Sequence, residues 1–364
     1  MDVVRSYPTN LLPALLLVLS LAGCQHPFHV LGQFQGSGNV TAQADIRGEV
    51  AVKFPMTSDP GPMVATVVRP SQSANPAPRV ALIDVDGLIL NQNLEGIMGS
   101  GENPVSAFRE KLAETARDPA IAAVVLRINS PGGAVTACDI MADELDRFRA
   151  ATRKPVVACL MDVGTAGGYY LALGSDRIVA HPTALTGGIG VIFNHFNLQD
   201  AMAQLNILPA PVKAGEKIDM GSVTQPLDPK TRELLQEMAD NFRKRFADRV
   251  RQRRQSLTAL DEKEYADGRI VTAPKALSFH LIDRLGYIHE AIQDAEQLAG
   301  LTDAEVVLYH RSGSPARSLY AIAPTPPHLN DTLPFSYPGL DRGKLPAFLY
   351  LWQPDPTVPR NSPR

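Results

Sequence analysis

Two glycine-rich junctions, each closing an apolar run, carry the residue types best suited to chemistry in this chain. The first follows "AIAAVVLRI" (residues 120–128) and reads "NSPGGAV" (129–135). The second follows "KPVVACLM" (154–161) and reads "DVGTAGGYY" (162–170). Backbone N–H groups at Gly132, Gly133, the adjoining Ala134 and Gly167 are suited to receive a carbonyl oxygen as it gains negative charge or to bind a peptide. A strand, a glycine turn and a small-residue helix in succession form the junction that lifts a nucleophile above the sheet of many hydrolases. Here Thr165, Ala166, Gly167 and Gly168 make that turn, and the residue at its centre is an alanine. The plainer alternative is that both glycine pairs are tight turns and nothing more.

The elements around the junctions imply an α/β fold. "RVALIDVDGLIL" (79–90) reads as a buried strand, and both runs above are apolar throughout. "NPVSAFREKLAETARD" places Val105, Phe108, Leu112 and Ala116 on one helical face. "TACDIMADELDRFRAAT" is helical, "AGGYYLALGS" a short helix, and "DRIVAHPTALTGGIGV" a strand with turns. Strands apolar on both faces that alternate with helices predict a parallel sheet flanked by helices, whose strand ends share one crevice. A long helix over 228–255 carries the stripe Leu234, Leu235, Met238, Phe242, Phe246 and Val250. Ser130, before a proline, is expected to cap its turn. Cys138 and Cys159 read as unpaired, buried small residues, the alternative in an exported protein being a disulfide between them.

The 364 residues, 45% of them hydrophobic, suffice for a large core. A net charge of -3 excludes a phosphate-neutralising nucleic-acid binder. No metal-ligand spacing and no dinucleotide or phosphate-loop fingerprint is present, so no cofactor is expected. The start, "MDVVRSYPTNLLPALLLVLSLAGCQHP", has a basic residue, an apolar stretch too short to span a bilayer, and small residues before Cys24. That pattern resembles a bacterial lipoprotein signal, with Cys24 as the lipidated residue and an exported, lipid-anchored product. The expected organisation is therefore a signal peptide over 1–23, an anchor with a small β-rich segment and linker over 24–78, a main body over 79–300, and a Pro-rich extension over 301–364. Within that extension "LPAFLYLWQP" is too apolar for a free tail and is expected to dock on the body.

Together the runs "LRINSPGGAV", "DVGTAGGYYLALGSDRIVA", "TALTGGIGVI", "KAGEKIDMGS" and "ADGRIVTAPKALSFHLIDRLG" resemble the signal peptide peptidase A family, in order, from about Val80 to Gly300. The resemblance implies a ClpP/crotonase-like fold, assembly into homo- or hetero-oligomers, and cleavage of signal-peptide fragments by a serine–lysine dyad. It also implies that serine belongs where this chain has Ala166, and lysine where it has Ile218, just before "DMGS". A methyl group cannot attack a carbonyl, and a sec-butyl group cannot take up a proton. The expectation is a pseudo-peptidase that binds peptides or serves as an assembly subunit. The alternative is an active peptidase using the displaced pair Thr165 and Lys217, each one residue before its seat. A one-residue step turns a helical side chain by about 100° and sends an extended one to the opposite face, which opposes that alternative.

Overall fold

The computed structural model describes residues 61–72, 77–93, 95–96, 99–100, 102–259, 265–312, 318–321 and 348–352. The expected signal segment, Cys24 and most of the N-terminal β-rich segment lie outside these residues. In chain order the strands are β1 (Met63–Arg69), β2 (Arg79–Ile89), β3 (Glu95–Gly96), β4 (Gly99–Ser100), β5 (Ile121–Ala134), β6 (Val156–Thr165) and β7 (Arg177–Ala180). They continue with β8 (Leu185–Gly187), β9 (Ile192–Phe193), β10 (Ile270–Thr272), β11 (Arg284–Leu285), β12 (Glu305–Arg311) and β13 (Phe348–Leu351). The helices are α1 (Pro104–Arg117), α2 (Val135–Thr152), α3 (Gly167–Ala172), α4 (Gln199–Gln204), α5 (Pro229–Arg253), α6 (Ala273–Ser278) and α7 (Ile288–Leu298).

Among the described residues one sheet has the order β1-β12-β2-β5-β6-β7-β11. All neighbours from β12 to β11 run parallel, and β1 at the edge of this series is antiparallel. Strand side chains alternate between faces, so an apolar run that is buried on both sides feeds two cores. Ala81, Ile83, Leu126, Ile128, Ala158 and Leu160 pack with Phe108, Leu112, Met141 and Leu145 of α1 and α2. Val80, Leu82, Val125, Val157 and Cys159 pack with Ile288, Ala291, Ile292 and Ala295 of α7 on the other side. The α/β class and the helix-flanked parallel sheet are as the sequence predicts.

Helix α1 begins where Asn103 accepts hydrogen bonds from the amides of Val105 (3.0 Å) and Ser106 (3.3 Å), with Pro104 at the first helical position. Val105, Phe108 and Leu112 are buried as expected, but Thr115 rather than Ala116 continues that face. The threonine hydroxyl donates back to the carbonyl of Lys111 at 2.7 Å, which lets a polar side chain sit in the core. On α5 only Leu235, Phe246 and Val250 of the predicted stripe are buried, and Met238 is exposed.

The boundaries expected at 78/79 and 300/301 cut through the sheet. Strand β12 runs parallel to β2 from Glu305↔Arg79 to Leu308↔Leu82, and β1 zips onto it from Met63↔Arg311 to Val67↔Val307. An apolar parallel strand such as β2 needs partners on both edges: β5 supplies one, and β12, itself covered by β1, supplies the other from beyond the predicted body.

At the centre of the sheet Asp84 and Arg127 are register neighbours on β2 and β5, and both are buried. Their contact is bidentate, Nε to Oδ1 at 2.6 Å and Nη2 to Oδ2 at 2.7 Å. The same guanidinium donates to the carbonyl oxygens of Leu319 and, at 2.5 Å, of Ala321. Such a pair is costly to break from one side, because a buried charge is then left without its partner. Arg127→Ala is expected to lower unfolding stability by about 3–5 kcal/mol in urea titrations. The double change Asp84→Leu with Arg127→Met is expected to recover most of it.

Candidate functional site

The elbow after β6 has the backbone of a nucleophile seat. Ala166 lies at φ 48°, ψ -114°, a conformation that a residue with a Cβ adopts only under constraint. Three features hold it there. Its N–H donates to the carbonyl of Gly187 on β8 at 2.8 Å, while its own carbonyl receives Tyr170 N–H at 2.8 Å to start α3. Gly188, at φ 69°, passes so close that a Cβ there would lie 3.2 Å from the Ala166 nitrogen. Gly168 packs on Ser130, whose carbonyl oxygen would lie 2.7 Å from an added Cβ. The alanine itself is 2% exposed.

The residues expected as oxyanion donors occupy a different kind of place. "SPGGA" does not end the strand: β5 runs on to Ala134, with a register shift against β2 between Asp86 and Leu88 and with Gly132 at φ 100°. Strand β6 follows β5 only as far as Ser130↔Gly164 before it bends into the elbow. Strand β13 takes over the edge of β5 that β6 leaves, antiparallel, with Leu349↔Ala134, Tyr350↔Gly133 and Leu351↔Gly132. Beyond that register the Trp352 N–H donates to the carbonyl of Pro131 at 2.9 Å. The glycines admit the flanking backbones. A Cβ on Gly132 would stand 1.9 Å from the Tyr350 carbonyl oxygen and 2.6 Å from the Gly167 nitrogen, and one on Gly133 2.0 Å from the Ile89 oxygen. The Gly132 N–H donates to Ser130 Oγ at 3.1 Å, and that hydroxyl donates to the Gly87 carbonyl at 2.6 Å, so Ser130 braces the strand rather than capping a turn that ends it. Gly133 N–H is directed at the Cys138 sulfur.

No hydrogen bond joins the displaced pair. Thr165 is fully buried, and its Oγ1 has no hydrogen-bond partner among the described residues. The Lys217 ammonium is engaged elsewhere, 3.2 Å from Asp228 and 3.0 Å from the Thr231 hydroxyl at the start of α5. Asp228 also caps that helix through the Thr231 amide at 2.9 Å. The Thr231 hydroxyl and amide, with Lys217 beside them, hold the Asp228 carboxyl below the usual carboxylate range. Ile218 is 73% exposed, on a segment that also exposes Leu205, Ile207 and Leu208.

Around the elbow lies an aromatic cluster whose key member no motif announced. Tyr350 is fully buried, with its ring centroid 5.3 Å from Tyr170 and 4.9 Å from Phe246, and its hydroxyl donates to the Phe242 carbonyl at 2.7 Å. Phe348 stacks between Phe193 and Phe242 at 5.1 and 5.2 Å. Burial pushes the Tyr170 and Tyr350 hydroxyls above the ordinary tyrosine range. The run "LPAFLYLWQP" signalled docking by its hydropathy, but nothing in it told where. Cys138, whose sulfur would lie 2.3 Å from a Cβ on Gly167, and Cys159 are both buried free thiols. Burial pushes the Cys138 thiol up, and that of Cys159 up to about 12.

Comparison with known proteins places these elements in context. A family model described as peptidase family S49 matches residues 149–302. The chain is 31% identical over 230 residues to slr0021, a candidate protease of Synechocystis sp., covering 63% of this chain and 78% of that protein. It is 29% identical over 231 residues to a candidate signal peptide peptidase SppA of Enterococcus faecium, covering 64% of this chain and 67% of that one. Protease 4 of Salmonella typhi is 29% identical over 280 residues, 77% of this chain but only 42% of its own length.

Two sets of measurements check the site's geometry. Ala166→Gly is expected to stabilise the fold by about 1 kcal/mol by relieving the backbone, and Thr165→Val by a similar amount by removing an unsatisfied hydroxyl. At pH 8 neither Cys138 nor Cys159 is expected to react with Ellman's reagent until denaturant is added, since thiolate is the reacting species.

Proposed function

Because the chain belongs to peptidase family S49, we propose that it is a non-hydrolytic member of that family, which holds extended apolar peptides without cutting them. One observation carries this reading: the strained elbow is intact, and the side chain at its centre is the methyl group of Ala166. Hydroxyl attack on a peptide carbonyl needs an oxygen there and a base to take its proton. Loss of the nucleophile alone costs a serine hydrolase roughly a millionfold in turnover. That corresponds to about 8 kcal/mol of barrier. The hydroxyl next in sequence to Ala166, that of Thr165, is sealed from solvent, and the amine next to Ile218, that of Lys217, is tied to Asp228 and Thr231.

The edge of β5 beyond Ser130, where β13 already pairs as an added strand, supports the peptide-binding part of the reading, because strand addition uses an extended backbone flanked by apolar pockets. Signal-peptide fragments fit that chemistry: their central region is a short apolar run with no charge to desolvate. The lipoprotein-type start supports an exported protein anchored through Cys24 to the envelope membrane, where such fragments are released. Among the described residues no helix is long and apolar enough to cross a membrane. The exposed Leu205, Ile207, Leu208 and Ile218 support a role as a subunit that assembles with copies of itself or with a hydrolytic paralogue.

A fluorophosphonate probe and a fluorogenic apolar peptide test the reading on the full chain in detergent. The expected outcome is no covalent adduct and turnover at the level of buffer. Turnover that vanishes in Thr165→Val yet persists in Ala166→Gly would establish the displaced pair as catalytic and overturn it.

A further inference from the structure

The strand that fills the edge of β5 comes from the chain's own C-terminal region, and its fit describes what the groove accepts. β13 lies antiparallel to Gly132–Ala134 and also pairs with β9 through Phe348↔Phe193 and Leu349↔Ile192. Phe348 and Tyr350, two residues apart and so on one face of the strand, enter adjoining aromatic slots. The first slot is made by Phe193 and Phe242, the second by Tyr170 and Phe246. Leu349 is buried as well. The Tyr350 carbonyl oxygen lies against Gly132 and Gly167, the residue next to Ala166. A peptide added to this edge would have to run where β13 runs.

Building on the peptide-binding reading, we infer that β13 is a resident occupant of the peptide groove. The groove takes one extended apolar strand with aromatic side chains at alternate positions, and an outside peptide enters only when Phe348–Trp352 leaves. Two features favour a displaceable strand over a fixed part of the core. It is four residues long, and it pairs only with the last three residues of β5 and the two-residue β9. A tethered segment competes at an effective concentration on the order of millimolar. A free peptide at micromolar concentration is therefore outcompeted roughly a thousandfold until the tethered strand is weakened.

The probe is a fluorescein-labelled peptide of residues 345–354, LPAFLYLWQP, read by anisotropy against the full chain. Wild type is expected to show no binding at micromolar peptide. The variant Leu349→Ala with Tyr350→Ala is expected to bind at least about 100-fold more tightly than wild type, and adding Gly132→Val is expected to abolish that binding by closing the groove. Native hydrogen exchange on wild type is a second readout that survives misfolding of the variants. Amides of 348–352 should exchange faster than those of Val124–Ile128, which marks a local opening. Equal peptide binding by wild type and the weakened variant would overturn the gate while leaving peptide binding itself standing. Absence of binding in a folded variant, or exchange of 348–352 only with global unfolding, would make β13 an ordinary core strand and also overturn the inference. Native mass spectrometry with signal-peptide fragments then decides the broader reading on its own, since retained peptide with a fixed β13 points to another surface.

Discussion

The site depends on how closely backbones approach one another at Gly132. On one side lies β2, paired Leu88↔Gly132, on the other β13, and from the elbow comes the nitrogen of Gly167. No side chain fits in that space, so the sequence must supply glycine wherever these backbones meet. Once they do meet, the position of α3, the bend of β6 and the course of the C-terminal strand are fixed together. The groove is thus a consequence of sheet geometry, set by where one strand leaves another's edge and where a third takes over.

The buried Asp84–Arg127 pair ties the same geometry to the far end of the chain. Its guanidinium joins two central strands and grips the carbonyls of Leu319 and Ala321. Five donors in one rigid fork allow a single side chain to serve a carboxylate and two carbonyls at once. The last described anchor before the C-terminal strand is therefore held by a charge that the sheet cannot easily release.

Much of this was legible in the sequence, for identifiable reasons. Strands such as "VVLRI" and "VVACL" are apolar on both faces, which only a covered parallel sheet satisfies, and the elbow's glycines mark the junction after β6. Other features needed coordinates. Gly132 and Gly133 read as a turn because glycine signals both turns and close approach, and the approaching partner lies more than two hundred residues away in sequence. β12 was hidden beside Pro-rich text, although "VVLY" is a short apolar run buried on both faces like the central strands. Thr115 displaced Ala116 from the core because a hydroxyl bonded back to its own helix loses its polarity cost. Lys217 looked like a spare base until its partners, Asp228 and Thr231, appeared at a helix start that the sequence had marked only as a long amphipathic run.

The hydrogen bond from Ala166 to Gly187 and the crowding by Gly188 hold the elbow in shape whatever side chain it carries. Alanine and serine codons can differ by a single base, so one mutation would place an oxygen at a position already aimed and already strained. The scaffold would orient such a group without any change of its own.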